Sequence, residues 1–215
     1  MADRKILKVL VIHGYRQSAK SSKEKTGAFR KGLKKYLECV FITAPNRIPG
    51  KDEDVDNEEY GWWFSKRDQQ LSFNATEETT IDEGHDASVD LITKTVQEQG
   101  PFDGILGFSQ GATMVAHICS LATEENSPFN FKFAILCAGF RSRSTAHERY
   151  YDKDLSIPSL FIFGDNDQVI EKGMSMQLSD MFTNKTIVNH AGGHFLPAGA
   201  TERKQYQEFL TQFMV

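Results

Sequence analysis

Residues 102–111 constrain this chain more than any other stretch. They read Phe-Asp-Gly-Ile-Leu-Gly-Phe-Ser-Gln-Gly. The first half is a short apolar run that predicts a buried strand, and the second half is Gly107-x-Ser109-x-Gly111. Residues 112–119, Ala-Thr-Met-Val-Ala-His-Ile-Cys, are apolar nearly all round, as a buried helix should be. A serine at the tip of a strand-to-helix turn holds a strained backbone with its hydroxyl exposed. The residues two before and two after it approach each other, which favours glycine at both places. The following helix points its free N–H groups and positive dipole end at the place where an oxyanion would form. Ser109 is therefore a candidate nucleophile, against the plainer reading of a glycine-rich turn. A phosphate-binding loop fits less well, because the stretch lacks both a Lys-Ser/Thr ending and the G-x-G-x-x-G spacing.

The flanking sequence repeats the alternation. Residues 6–12 form a β-branched and leucine run that predicts a central strand. Phe29, Leu33, Tyr36 and Leu37 recur at helical spacing, which predicts one amphipathic helix over 21–37. Residues 39–43 read as a second strand. Ile81, His85, Val89, Ile92 and Val96 mark another helix, stopped at Gly100-Pro101. Strands are expected at 131–137, 160–163 and 186–189, and a last helix at 202–214. This order argues for a mostly parallel sheet with helices on both faces, in a single domain over 1–215. Residues 46–74 form a long insertion without periodicity, and such loops are often functional.

Composition narrows the function. A net charge of −4 and a pI near 5.9 give no global basic field for nucleic acid or anionic membrane. The lysines and arginine between Lys20 and Lys35 are read as one solvated helix face. The run 6–12 is too short to span a bilayer, so neither a signal peptide nor stable membrane insertion is expected. Three widely spaced cysteines, Cys39, Cys119 and Cys137, suggest free thiols in a reducing compartment, and hence a cytoplasmic or nuclear location. Asn74 and Asn184 match a glycosylation pattern that such a chain would not use. No C-x-x-C or H-x-x-x-H spacing points to a metal.

In open α/β sheets, sites form beyond the carboxyl ends of the strands. His13-Gly14-Tyr15 follow the first strand, Ser109 the elbow strand, and Asp165-Asn166-Asp167 the strand over 160–163. His190 to His194 follow the last strand. The order serine, acid, histidine is that of α/β-hydrolases. His13 is expected to fix its loop by hydrogen bonds, and His85 to pack in the core. His194, beside glycines, is a better base than His190. Asp103 starts the elbow strand, on the wrong edge for catalysis.

These residues resemble the FSH-type small serine hydrolase family, and within it the animal branch. The shared features are Gly14-Tyr15-Arg16-Gln17-Ser18, Lys25-Thr26-Gly27, Gly61-Trp62-Trp63-Phe64 and Gly100-Pro101-Phe102-Asp103-Gly104. Gly107-Phe108-Ser109-Gln110-Gly111, Phe163-Gly164-Asp165-x-Asp167 and Gly192-Gly193-His194-Phe195 complete them. The resemblance implies an α/β-hydrolase fold and carboxylester hydrolysis by Ser109, Asp167 and His194. Residues 140–157, between two expected strands where many such folds carry a cap domain, are too few for one. The resemblance also implies a leaning toward medium-to-long acyl chains. Asp167 is preferred over Asp165 because it lies further along the turn and because the resemblance points there. The backbone N–H groups of Tyr15 and Gln110 are expected to form the oxyanion hole. No cofactor is required.

Two rival functions share this pattern: an acyl thioesterase, and a non-catalytic small-molecule-binding module on the same fold. The partner expected is a small ester, with the monomer favoured. Within the insertion, Trp62, Trp63 and Phe64 are expected to line the acyl chain as an apolar wall. Asp52, Glu53, Asp54, Asp56, Glu58 and Glu59 would form an acidic rim above it, the plainer alternative being aromatics tucked into the core.

Overall fold

The computed structural model describes residues 5–48, 58–67 and 71–214. The apolar run after Lys5 forms β1 (Leu7–Ile12), followed by α1 (Ala19–Lys25), α2 (Gly27–Leu33) and β2 (Leu37–Ile42). Two short antiparallel ribbons come next. One pairs β3 (Asn46–Arg47) with β4 (Tyr60–Gly61), the other β5 (Lys66–Arg67) with β6 (Leu71–Ser72). Then come α3 (His85–Gln99), β7 (Gly104–Phe108), α4 (Gln110–Leu121) and β8 (Phe133–Cys137). A 3-10 turn (Thr145–Tyr151) precedes β9 (Ser159–Gly164), α5 (Lys172–Ser179), β10 (Lys185–His190) and α6 (Ala200–Thr211).

The six long strands make one sheet in the order β10-β9-β8-β7-β1-β2, and every pairing is parallel. Consecutive residues along each strand enter opposite layers. Leu10 and Ile12 of β1 face the layer holding Ile92, Val115 and Leu178, from α3, α4 and α5. Val9 and Val11 face the layer holding Phe29, Leu33, Tyr206 and Phe209, from α2 and α6. Burial on both faces is why the inner strands β1, β7, β8 and β9 read as apolar runs rather than alternating ones. Among the described residues, no helix is long and apolar enough to cross a membrane.

The single helix expected over 21–37 is two helices. Ser18 caps the first, accepting from the Ser21 N–H while the Ser21 hydroxyl accepts from the Ser18 N–H. The break falls at Thr26, whose hydroxyl bonds back to the Ser22 carbonyl at 2.8 Å, just before Gly27. Back-bonding and a poor helix former together end the first helix. Leu37 opens β2 instead, paired with Leu7. Ile81 lies before α3, which starts only after Gly84 at φ 84°, a conformation that favours glycine. There a Cβ would also collide with the Asn46 side chain.

The chain winds from β1 outward to β2, then restarts at β7 and winds the other way through β8, β9 and β10. The switch point therefore lies between β1 and β7, where open α/β sheets place their sites. At the opposite end, Asp103 is buried between Lys5 at 2.8 Å and Lys132 at 2.9 Å, and accepts the Lys8 N–H at 3.0 Å. Burial pushes its carboxyl upward, but those three donors together outweigh it and hold the pKa at about 2. A depressed carboxyl stabilises the fold above its unfolded pKa, and that contribution disappears as pH falls from about 4 through 2. Asp103→Asn is expected to lose on the order of 2 kcal/mol at pH 7 and far less at pH 2. Denaturant unfolding of both proteins at the two pH values checks this.

Candidate active site

Ser109 closes β7 and opens α4 with φ 54° and ψ −121°, the strained corner that the motif predicts. The flanking glycines are required by space. A Cβ on Gly107 would meet the Gly111 carbonyl and Ala112 Cα, and one on Gly111 would meet the carbonyls of Ile12 and His13.

His194 and Asp167 approach this serine from the neighbouring strand ends. His194 Nε2 lies 3.0 Å from Ser109 Oγ, and His194 Nδ1 lies 2.7 Å from Asp167 Oδ2. The other carboxylate oxygen, Oδ1, accepts the N–H groups of Val169 at 2.8 Å and Ile170 at 2.9 Å. An ionised carboxylate only accepts, so the imidazole proton sits on Nδ1 and Nε2 keeps a lone pair toward the serine hydroxyl. The two loops that carry the acid and the imidazole are stitched together. Asp165 N–H donates to the His190 carbonyl, Asn166 N–H to that of Gly192, and the Asn166 amide to that of Ala191. His190 does not reach Ser109; its Nδ1 accepts the Gly192 N–H at 3.1 Å and shapes the turn that presents His194.

Asp165 also stays away from His194. It takes Lys172 at 2.6 Å and the Asn189 amide at 2.8 Å, rather than the local backbone bond expected of a turn aspartate. Asp167 makes the local bonds instead, and they aim its second oxygen.

The loop after β1 supplies a second group of backbone donors. His13 Nε2 accepts the Ala44 N–H at 3.0 Å, so Nδ1 carries the proton and donates to the Gly14 carbonyl at 2.7 Å. Burial lowers the His13 pKa to about 4, against the small upward pull of the Gly14 bond, and keeps the ring neutral for this role. Gly14 N–H donates to Gln17 Oε1, and Arg16 N–H to the Tyr60 carbonyl. Among the described residues, the Tyr15 and Gln110 N–H groups donate to nothing. They remain available beside Ser109.

A cavity of about 340 Å³ opens over Ser109 and His194. Tyr15, Phe73, Phe108, Val169 and Ile170 give it apolar walls. The expected wall of Trp62, Trp63 and Phe64 is a correction. These side chains are 0%, 1% and 2% exposed and lie in the core beneath the site. Trp62 Nε1 donates to the His13 carbonyl at 2.7 Å, and the Gln110 side chain clamps Trp62 N–H and the Trp63 carbonyl. They brace the elbow and the β1 loop rather than meet a ligand. The expected acidic rim falls partly on Asp52, Glu53, Asp54 and Asp56, which lie outside the described residues. Glu58 and Glu59 pair with Arg47 and Arg16 and do not line the cavity. The sequence reading missed Phe73, Val169 and Ile170. The signal available was a Val-Ile pair two residues after Asp167, in an otherwise polar loop past a strand end.

A parallel sheet with a serine elbow at its switch point, and an imidazole and a carboxylate in line behind it, defines an α/β-hydrolase. Comparison with known proteins agrees. A family described as "Serine hydrolase (FSH1)" matches residues 1–206. "Esterase OVCA2" of Xenopus tropicalis is 43% identical, covering 99% of this chain and 96% of that protein. "Esterase OVCA2" of Homo sapiens is 38% identical over 99% of both chains. Among solved structures, Arabidopsis thaliana SOBER1 superposes with a TM-score of 0.67 at 14% identity, over 98% of this chain and all of that one. Zea mays acyl-protein thioesterase 2 superposes at 0.62 and 19% identity, over 97% and 96%. At these identities the two structures speak for the fold alone. The chain belongs to the FSH1 serine hydrolase family, and it is a hydrolase of the esterase type.

Proposed function

We propose that this enzyme cleaves carboxylic esters of aliphatic acids through an acyl-enzyme on Ser109. Ser109 Oγ attacks the ester carbonyl while His194 Nε2 takes its proton. The imidazolium returns that proton to the departing alcohol, and the acyl group stays on Ser109. Water then attacks the acyl-enzyme with His194 again as base, and the acid leaves. Asp167 holds the imidazole tautomer and offsets its positive charge. The N–H groups of Tyr15 and Gln110 receive the oxyanion, aided by the N-terminal end of α4. The observation that carries this reading is the continuous line of bonds from Asp167 to Ser109 at 2.7 and 3.0 Å, opening into an apolar cavity.

The size and apolar walls of the cavity support an acyl chain of medium-to-long length as substrate. Its volume stands at the lower end of the 300–1,000 Å³ range of ligand pockets, and Val169, 58% exposed, extends an apolar path to the surface. Apolar contact contributes about 0.8 kcal/mol per buried CH₂. On p-nitrophenyl esters from about C2 to C12, kcat/KM is expected to rise with chain length and flatten once the chain passes Val169. Phe73→Ala should reduce the slope, whereas Trp62→Ala should lower stability. A flat wild-type profile, or a slope untouched by Phe73→Ala in a folded protein, contradicts the assignment of the wall.

A further inference from the structure

Three histidines far apart in the sequence meet beneath the insertion. His85 opens α3, His117 lies within α4 and His147 sits in the 3-10 turn. All are buried, at 1%, 0% and 0% exposure, and one ligating nitrogen from each lies within 4.8 Å of the others. The hydrolytic line does not use them. They lie behind Trp63, whose ring meets His147 edge-on at 5.3 Å.

Their outer nitrogens have partners that aim the inner ones. His117 Nε2 meets the Tyr151 hydroxyl at 2.7 Å, and His147 Nδ1 meets Ser142 Oγ at 2.7 Å. This leaves His117 Nδ1, which is 3.0 Å from His85 Nε2, and His147 Nε2. Two buried ring nitrogens, His85 Nδ1 and His147 Nε2, have no hydrogen-bond partner among the described residues. Buried polar atoms are rarely left so without a reason. All three rings are buried, and neutral imidazole is the ligating form.

We propose that His85 Nε2, His117 Nδ1 and His147 Nε2 form a binding site for a divalent ion of the zinc class. Zinc–imidazole bonds of about 2.0–2.1 Å set tetrahedral ligand nitrogens about 3.3 Å apart. The His85–His117 pair, hydrogen-bonded at 3.0 Å, is close to that spacing. An ion would replace that bond and require His147, within 4.8 Å, to move inward. Asp82 offers a fourth ligand, with Oδ2 3.9 Å from His147 Nε2, and its 40% side-chain exposure gives the ion a route from solvent. Asp86, 4.0 Å from His85 Nδ1, is placed to orient that ring as an outer partner. Arg149 is the opposing charge nearby, and it is drawn toward Asp86 at 4.0 Å. The unpartnered His147 Nε2 is thereby given a ligand role, while His85 Nδ1 would need Asp86 to move in from 4.0 Å to be satisfied. An ion here ties α3, α4 and the 3-10 turn together. It braces the helix that begins just after Ser109, so its role is structural and independent of the ester chemistry.

The test is metal uptake by the whole protein after treatment with a chelator. Titration with Co²⁺ should give the intense visible absorption of a tetrahedral nitrogen site at one equivalent. Zn²⁺ should displace it and raise the unfolding temperature. His147→Gln should abolish the signal, and Ser142→Ala, which frees the ring it orients, should weaken affinity about 10-fold or more. If His147→Gln does not fold, Ser142→Ala decides alone. No saturable uptake by wild type, uptake unchanged in a folded His147→Gln or Ser142→Ala, or uptake lost instead in His194→Ala would each overturn the site.

Discussion

Ser109→Ala is expected to keep its fold and lose about 10⁴-fold or more of kcat. Stability should change little, because the wild-type residue already carries a Cβ at φ 54° and the substitution removes one hydroxyl at the rim of a cavity. Its hydrogen bond to His194 is lost, but that ring stays held by Asp167 and packed on Phe108 at 4.8 Å. A melting temperature within about 2 °C of wild type would fit the loss of one hydroxyl that faces a cavity. The remaining rate should come from oxyanion donors and binding alone. Turnover within tenfold of wild type, in protein free of contaminating esterase, would remove Ser109 from the chemistry.

The second large effect is expected at Asp167. Asp167→Asn preserves size and can still accept the Val169 and Ile170 N–H groups, so the loop should survive. The amide NH₂ then points at His194 Nδ1 and donates to it. The imidazole proton must move to Nε2, and the lone pair needed by Ser109 is gone. A fall of about 10⁴ in kcat is expected, with KM changed far less. Asp165→Asn should stay within about threefold, since its partners Lys172 and Asn189 are surface contacts. Steady-state kinetics on the pair, with matched unfolding curves, measures both. Equal losses would mean that the acid loop acts as a unit and that Asp167 has no special role.

The strands and the candidate line of Ser109, Asp167 and His194 are legible in the sequence because each has a local signature. Strands buried on both faces appear as apolar runs, and Ser109 and Asp167 each follow one, whereas His194 follows the edge strand β10, where only Val188 and His190 are buried. The end of α2 after Leu33 is hidden because Tyr36 and Leu37 continue the phase of Phe29 and Leu33, although Leu37 belongs to a strand. The break at Thr26 is hidden because no large apolar residue before Phe29 carries a phase. The burial of the aromatic triplet is hidden for a related reason. Trp62 and Trp63 look like a lining when counted as exposed loop residues, but the Gln110 clamp and the His13 carbonyl draw them into the core. Those partners lie 47 to 49 residues away in the chain. Nothing local marks them. The same holds for His85, His117 and His147, whose spacing matches no ligand motif and whose meeting depends on how α3 and α4 pack.

The most direct test of the account is to trap the intermediate. The purified enzyme is mixed with a p-nitrophenyl ester of medium chain length and quenched in acid within the first turnovers, and its peptides are weighed. The account predicts a burst of p-nitrophenolate equal to the enzyme concentration and one acyl group on the peptide containing Ser109, absent in Ser109→Ala. An acyl group on Ser142, Ser144 or a cysteine would contradict it, as would turnover with no acylated peptide when deacylation is the slow step.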